Sequence, residues 1–171
     1  MATISPNDPM LYLHCTQKLL NRLKPEVLDV GSSTTKLGSW YATVLQCRPQ
    51  IAMLVNERTL LPVLMPLAPA GTLSVRFPEA LAEILSALAV PPSFIESEVS
   101  QMQIVRYAKT QNRSVVGIMT QFAYLAERYR DGGKMNELIA LSLKLAHTPC
   151  SPLYKGSVFP DIALQELTSE G

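Results

Sequence analysis

Three consecutive strand-like runs constrain the fold of this chain more than any other feature of its sequence. Residues 40–47, 50–55 and 60–65 are dominated by apolar and β-branched side chains, and connections of two and four residues separate them. Connections this short favour antiparallel hairpins, because a parallel crossover needs about a dozen residues or more. Pro62 within the third run indicates an edge strand or a bulge there.

Two further strands are predicted on either side of this group, at residues 10–15 (MLYLHC) and 103–109 (QIVRYAK). Consecutive strands without crossover helices argue against a doubly wound parallel sheet. We therefore predict an α+β fold, with a mainly antiparallel sheet of about four to five strands and helices packed on one face.

Helices are predicted where apolar residues recur at helical spacing. The first begins after Thr16, and Pro78 fits the first turn of the second. Ser93 and Glu96 have the spacing of a capping box for a third helix. Two longer helices follow, over about residues 115–129 and 135–147, with Gly132 and Gly133 as the stop between them.

The chain has 171 residues, a length typical of one domain. Residues 1–9 are polar and contain two prolines, which predicts a flexible N-terminal arm. Residues 10–147 are expected to form the domain, and residues 148–171 to form an extended, proline-containing tail packed on it. The loop at 29–38 is rich in Gly, Ser and Thr and is expected to be mobile.

The composition narrows the function classes. A net charge of +1 gives the protein no overall positive field that would attract nucleic acid. A local basic patch that binds nucleic acid remains an alternative. Charged residues make up 17% of the chain, below the usual value of about 25%, which favours a protein partner or a homo-oligomer. No signal peptide or membrane span is indicated, and three widely spaced cysteines suggest reduced thiols, so we expect a cytoplasmic protein.

Common catalytic motifs are absent from the sequence. It contains no GxxxxGK[ST], GxGxxG, HExxH or GxSxG pattern, and its two histidines exclude a His-rich metal site. We therefore assign no catalytic residue, metal or cofactor. The sequence leaves open whether the chain is an enzyme, and the absence of these motifs favours a protein without catalytic activity.

Asn112, Arg113 and Ser114 lie where a predicted strand gives way to a helix. Free N–H groups and the helix dipole favour an anion at such a place, and Arg113 could bind a phosphate or carboxylate through two hydrogen bonds. The alternative is that Asn112 or Ser114 only caps the helix and Arg113 is a solvated side chain.

His14, Cys15 and Lys18 lie at a second strand-to-helix junction. A thiol at a helix start, near a lysine, can be a nucleophile, whereas a buried structural cysteine is the alternative. Trp40 could stack a base or ring of a ligand, or it could anchor the core.

Four segments resemble an uncharacterised bacterial family that is known only as a domain of unknown function. They lie at residues 14–20 (HCTQKLL), 38–42 (GSWYA), 54–60 (LVNERTL) and 112–123 (NRSVVGIMTQFA). In the pattern of that family an acidic residue stands where this chain has Gln121, so any catalytic role of that acid would be lost here. The resemblance implies a small bacterial or mobile-element protein, and it implies no established activity.

These features predict a binding or regulatory domain that recognises an anionic ligand. The ligand could be a nucleotide, a nucleic-acid backbone or an acidic protein segment. The protein could act in a toxin–antitoxin pair or in phage defence. The predicted binding residues are Asn112, Arg113, Ser114, His14, Lys18 and Trp40. A protein-interaction or inhibitor subunit is the first alternative, and a small hydrolase or nuclease is the second.

Overall fold

The structure is a computed structural model that describes residues 8–29, 31–129, 135–150 and 159–169. The strands in these residues are β1 (Met10–Cys15), β2 (Trp40–Leu45), β3 (Ile51–Asn56), β4 (Pro62–Pro66) and β5 (Ile104–Lys109). The α-helices are α1 (Gln17–Leu23), α2 (Leu73–Ala87), α3 (Pro92–Ser100), α4 (Arg113–Tyr129), α5 (Met135–Ala146) and α6 (Pro160–Ser169). None of these helices is long and apolar enough to cross a membrane.

The strands form one mixed sheet in the order β4-β3-β2-β1-β5. The predicted hairpins are present, because β2 pairs with β3 and β3 with β4 in antiparallel orientation. The prediction of a mainly antiparallel sheet is wrong, since β1 pairs in parallel with both β2 and β5. The segment that contains α1 returns the chain to the start of β2, so it is a crossover connection between two parallel strands, which the sequence pattern did not predict.

Helices cover both faces of the sheet, so the prediction of helices on one face is wrong. Side chains of β2, β3 and β4 point alternately into two cores. The first core contains Ala42 and Leu54 and packs against α1, α2, α3 and α6. The second contains Tyr41 and Met53 and packs against α4. Every residue of β3 is buried, which is the usual result when a strand is covered on both faces.

Helix α5 covers the edge of the sheet at β4 and contributes to both cores. The Ser142 hydroxyl accepts a hydrogen bond from the Leu64 amide at 2.9 Å and donates one to the Leu138 carbonyl at 2.7 Å. An outward-facing amide of the edge strand is therefore satisfied by the covering helix, which keeps this edge from pairing with another chain.

Several local predictions are corrected by the structure. Pro78 is the sixth residue of α2 and not in its first turn, because the helix begins at Leu73. Ser93 lies inside α3, whose N-cap is Pro91, and no side chain caps that helix. Residues 160–169 of the predicted extended tail form helix α6, which buries Leu164.

Residues 1–7 of the predicted arm (residues 1–9) lie outside the described residues, as do residues 151–158 and 170–171 of the predicted tail (residues 148–171). The same is true of the predicted glycine stop at residues 132–133.

Candidate functional site

The carboxyl ends of β1, β2 and β5 meet at one edge of the sheet, because these three strands run parallel. The chain then leaves β1 and β5 in different directions. Helix α1 follows β1 on the side of the first core, and α4 follows β5 on the side of the second. In open sheets a crevice forms where the helices that follow two neighbouring strands turn to opposite faces, and ligands bind there.

A pocket of about 440 Å³ lies at this edge. We call it the strand-end pocket. It is formed by the start of α1, the end of β2 and one face of α4. Its lining residues are Thr16, Gln17, Lys18, Thr43, Val44, Leu45, Gln46, Val116, Met119, Thr120, Ala123 and Glu127.

The strand-end pocket combines an apolar wall with two opposite charges. Met119 belongs to the second core and contributes to the apolar wall. Lys18 on α1 and Glu127 on α4 are both exposed, so their charged groups can reach a ligand while remaining solvated. The hydroxyls of Thr16 and Thr43 lie 2.8 Å apart and join the ends of β1 and β2 by a hydrogen bond.

Asn112 is the N-cap of α4. Its side-chain oxygen accepts hydrogen bonds from the amides of Ser114 at 2.9 Å and Val115 at 3.3 Å, which satisfies two of the free donors of the helix. The backbone N–H of Asn112 donates to the Tyr41 hydroxyl at 3.0 Å. Arg113 is exposed, and helical spacing puts it one turn before Val116 on α4, outside the residues that line the strand-end pocket.

His14 and Lys18 do not line the same pocket, although only three residues separate them. His14 lines a second pocket of about 220 Å³, which we call the loop pocket. Its lining residues are His14, Gly31, Ser32, Ser33, Gly38, Ser39, Tyr41, Glu57, Arg58 and Gln111. Two of the predicted binding residues therefore line different pockets, with Lys18 in the strand-end pocket and His14 in the loop pocket.

Cys15 and Trp40 belong to the first core. Burial raises the pKa of the Cys15 thiol to about 12, so this group is not placed as a nucleophile. Trp40 is fully buried and packs edge-on against Phe77, with 5.1 Å between ring centroids. The structure thus places Trp40 as a core anchor, one of its two predicted roles, and away from any surface where a ligand ring could stack.

Sequence reasoning missed Thr43, Gln46 and Glu127, which line the strand-end pocket. One signal was available on α4. Beside the apolar stripe that enters the second core, this helix carries a mixed stripe at Val116, Thr120 and Glu127, and a partly polar face next to a core face indicates an accessible cleft. The residues of β2 carried no such signal, because their position depends on strand pairing.

Among the described residues, no three His, Cys, Asp or Glu side chains are grouped so that they could hold a metal ion. A family model described as a domain of unknown function, DUF6933, matches residues 12–163. No curated protein and no solved structure matches the chain.

Proposed function

We propose that this chain, which belongs to the family of domains of unknown function DUF6933, is a binding domain for a small anionic ligand with an apolar part. The observation that supports the proposal is the position of the strand-end pocket. It lies at the carboxyl ends of parallel strands, between helices that turn to opposite faces, where ligands bind in sheets of this kind. Its volume of about 440 Å³ suits a small molecule better than a nucleic-acid backbone or a protein segment.

The lining suggests how such a ligand would be oriented. Lys18 would bind the anionic group, and the apolar body would lie against Val116 and Met119. Arg113, one turn before Val116, would add positive potential near the same end of α4. Glu127 would repel a second anionic group, so a ligand with one negative charge and an uncharged remainder is favoured.

Recognition fits this pocket better than catalysis. Lys18 and Glu127 are its titratable lining residues, and both are exposed. General acid–base catalysts are usually held in partly buried surroundings that adjust their protonation. The arrangement therefore supports binding and regulation over a hydrolase or nuclease.

The proposal includes a cytoplasmic setting in a bacterium, with a role in regulation, a toxin–antitoxin pair or phage defence. Cys15, Cys47 and Cys150 are free thiols in the described residues, which suits a reducing compartment. The bacterial source is proposed from the sequence resemblance.

The test uses 8-anilinonaphthalene-1-sulfonate, because this dye combines one sulfonate with an apolar ring system. We expect saturable binding to the native protein, measured by fluorescence titration. Lys18→Gln removes the cation and should weaken binding by about three- to tenfold, because Lys18 is exposed and solvent screening reduces its charged hydrogen bond to about the strength of an ordinary one. Ala123→Phe fills the pocket and should abolish binding.

Arg22→Gln is the matched control, since Arg22 is an exposed cation on the same helix but outside the pocket lining. It should leave the affinity unchanged. If Lys18→Gln and Arg22→Gln weakened dye binding equally, the effect would come from the overall charge of the protein and not from a contact with Lys18. Persistent binding by folded Ala123→Phe would show that the dye binds elsewhere and would overturn the proposal.

A further inference from the structure

The walls of the loop pocket are held by hydrogen bonds, although the sequence predicts a mobile segment there. The Ser33 hydroxyl accepts from the Tyr12 amide at 2.9 Å and lies 2.8 Å from the Ser39 hydroxyl. The Ser39 amide donates to the Glu57 carboxylate at 3.0 Å. Gly38 has a φ of 79°, a conformation that favours glycine, so the turn at this wall depends on it.

His14 presents one free ring nitrogen to this pocket. Its side chain is 3% exposed and stacks on Tyr41, with 4.7 Å between ring centroids. Nδ1 lies 3.0 Å from the Lys109 carbonyl, which can only accept, so Nδ1 carries a proton. Nε2 has no hydrogen-bond partner among the described residues, and it is not sealed from solvent. In the neutral ring it is therefore an acceptor available to a molecule in the pocket.

The other polar groups of the pocket include both donors and acceptors. Glu57 supplies carboxylate oxygens, Arg58 supplies guanidinium N–H groups, and Gln111 supplies an amide that can do both. Glu57 and Arg58 are adjacent and of opposite charge, so the pocket has no strong preference for an ion of either sign. A hydroxyl group both donates and accepts, so a ligand with several hydroxyls can satisfy this mixed set.

We infer that the loop pocket is a second binding site, for a neutral polyhydroxylated molecule of the size of one sugar ring, with His14 Nε2 accepting from a ligand hydroxyl. The volume of about 220 Å³ lies below the range of about 300–1,000 Å³ for drug-sized ligands, which favours a single small ring. The site is distinct from the strand-end pocket and does not rest on the function proposed for it.

The experiment is a titration of ¹⁵N-labelled full-length protein with D-ribose, D-glucose and glycerol, followed by amide spectra. We expect saturable shifts with at least one of the sugars at the amides of Ser32, Ser33 and Arg58. L-serine and inorganic phosphate, at the same concentrations, should not produce them. Absence of shifts with all three hydroxylated probes would overturn the inference, and stronger binding of L-serine or phosphate would replace it with a zwitterion or anion site.

His14→Asn is the diagnostic variant, because an asparagine amide can still donate to the Lys109 carbonyl but lacks the Nε2 acceptor. We expect it to weaken sugar binding by about tenfold, the usual effect of one lost hydrogen bond. His147→Asn changes the only other histidine of the chain, outside this pocket, and should have no effect. Unchanged affinity in folded His14→Asn would overturn the role of His14.

Gln111→Ala provides a second variant in case His14→Asn does not fold. Gln111 is exposed, so its truncation should not disturb the core. It should weaken sugar binding, and unchanged affinity would count against the loop pocket as the site.

Discussion

Glu98 stabilises the loop at residues 31–39 by hydrogen bonds to its backbone, and substitution of this residue tests that role directly. Its side chain on α3 is 1% exposed. Both carboxylate oxygens accept backbone hydrogen bonds, from the Lys36 amide at 2.7 Å and the Leu37 amide at 2.8 Å. Glu98→Gln keeps the shape of the side chain but turns one acceptor into a donor, so one of the two amides loses its partner.

The expected loss in the free energy of unfolding is about 1–3 kcal/mol, the cost of one unpaired buried donor. Glu98→Ala removes both partners and should cost about twice as much. Chemical unfolding followed by circular dichroism measures both values. Hydrogen exchange should show faster exchange at Lys36 and Leu37 in the variants.

The same residue predicts a pH dependence. Burial raises the pKa of the Glu98 carboxyl above its usual value, and the two backbone hydrogen bonds and nearby Lys36 and Arg58 only partly oppose this. The folded state therefore binds the proton more tightly than the unfolded state. The stabilisation linked to this proton is fully present below the unfolded pKa and is lost as the pH rises through the folded pKa. The stability difference between wild type and Glu98→Gln should therefore grow as the pH falls.

Glu96→Gln is the control, since Glu96 is exposed on the same helix. It should change stability by less than about 0.5 kcal/mol. Two results would refute the reasoning about Glu98. One is a Glu98→Gln variant as stable as wild type, and the other is a stability difference that shrinks as the pH falls.

Three further predictions follow from described contacts. Ser142→Ala should destabilise the protein by about 1–3 kcal/mol in denaturant unfolding, because it leaves the Leu64 amide of the edge strand without a partner. Asn112→Ala should cost about 1 kcal/mol in the same assay, because α4 loses its cap. In alkylation of the native protein at pH 8, read by mass spectrometry, Cys47 should react far faster than Cys15, whose pKa burial raises to about 12.

Exposed Ser86 provides the control for the serine prediction, since Ser86→Ala should be nearly neutral. An equally stable Ser142→Ala protein would contradict the account of the β4 edge. Asn112→Gly should lose only a few tenths of a kcal/mol, and an effect equal to that of Asn112→Ala would argue against capping. Comparable alkylation rates at Cys15 and Cys47 would contradict the burial of Cys15.

The positions of the strands could be predicted because they depend on local pattern. The strand predicted at residues 10–15 is observed as Met10–Cys15, and both hairpins occur where short connections required them. Pairing between distant segments could not be predicted in this way. The parallel neighbours β1 and β5 are far apart in sequence, and alternation of side chains along a strand does not specify its neighbour.

Burial on both faces had a visible signal in the sequence of β3, IAMLVN, which is an almost unbroken apolar run. Such runs are typical of strands covered on both faces, whereas apolar and polar residues alternate in a strand with one solvent-exposed face. The two polar junctions were correctly placed at element ends. Their division into two pockets was not predictable, because it depends on which face of β1 carries His14 and on the path of the loop at residues 31–39.

The most direct test of the central claim locates the bound probe at atomic resolution. Isotope-filtered nuclear Overhauser spectra of the labelled protein with 8-anilinonaphthalene-1-sulfonate report which methyl groups lie near the dye rings. We expect contacts from the dye to the methyl groups of Met119 and Val116, and we expect these contacts to be lost in Ala123→Phe. Contacts only to methyl groups outside the strand-end pocket would contradict it.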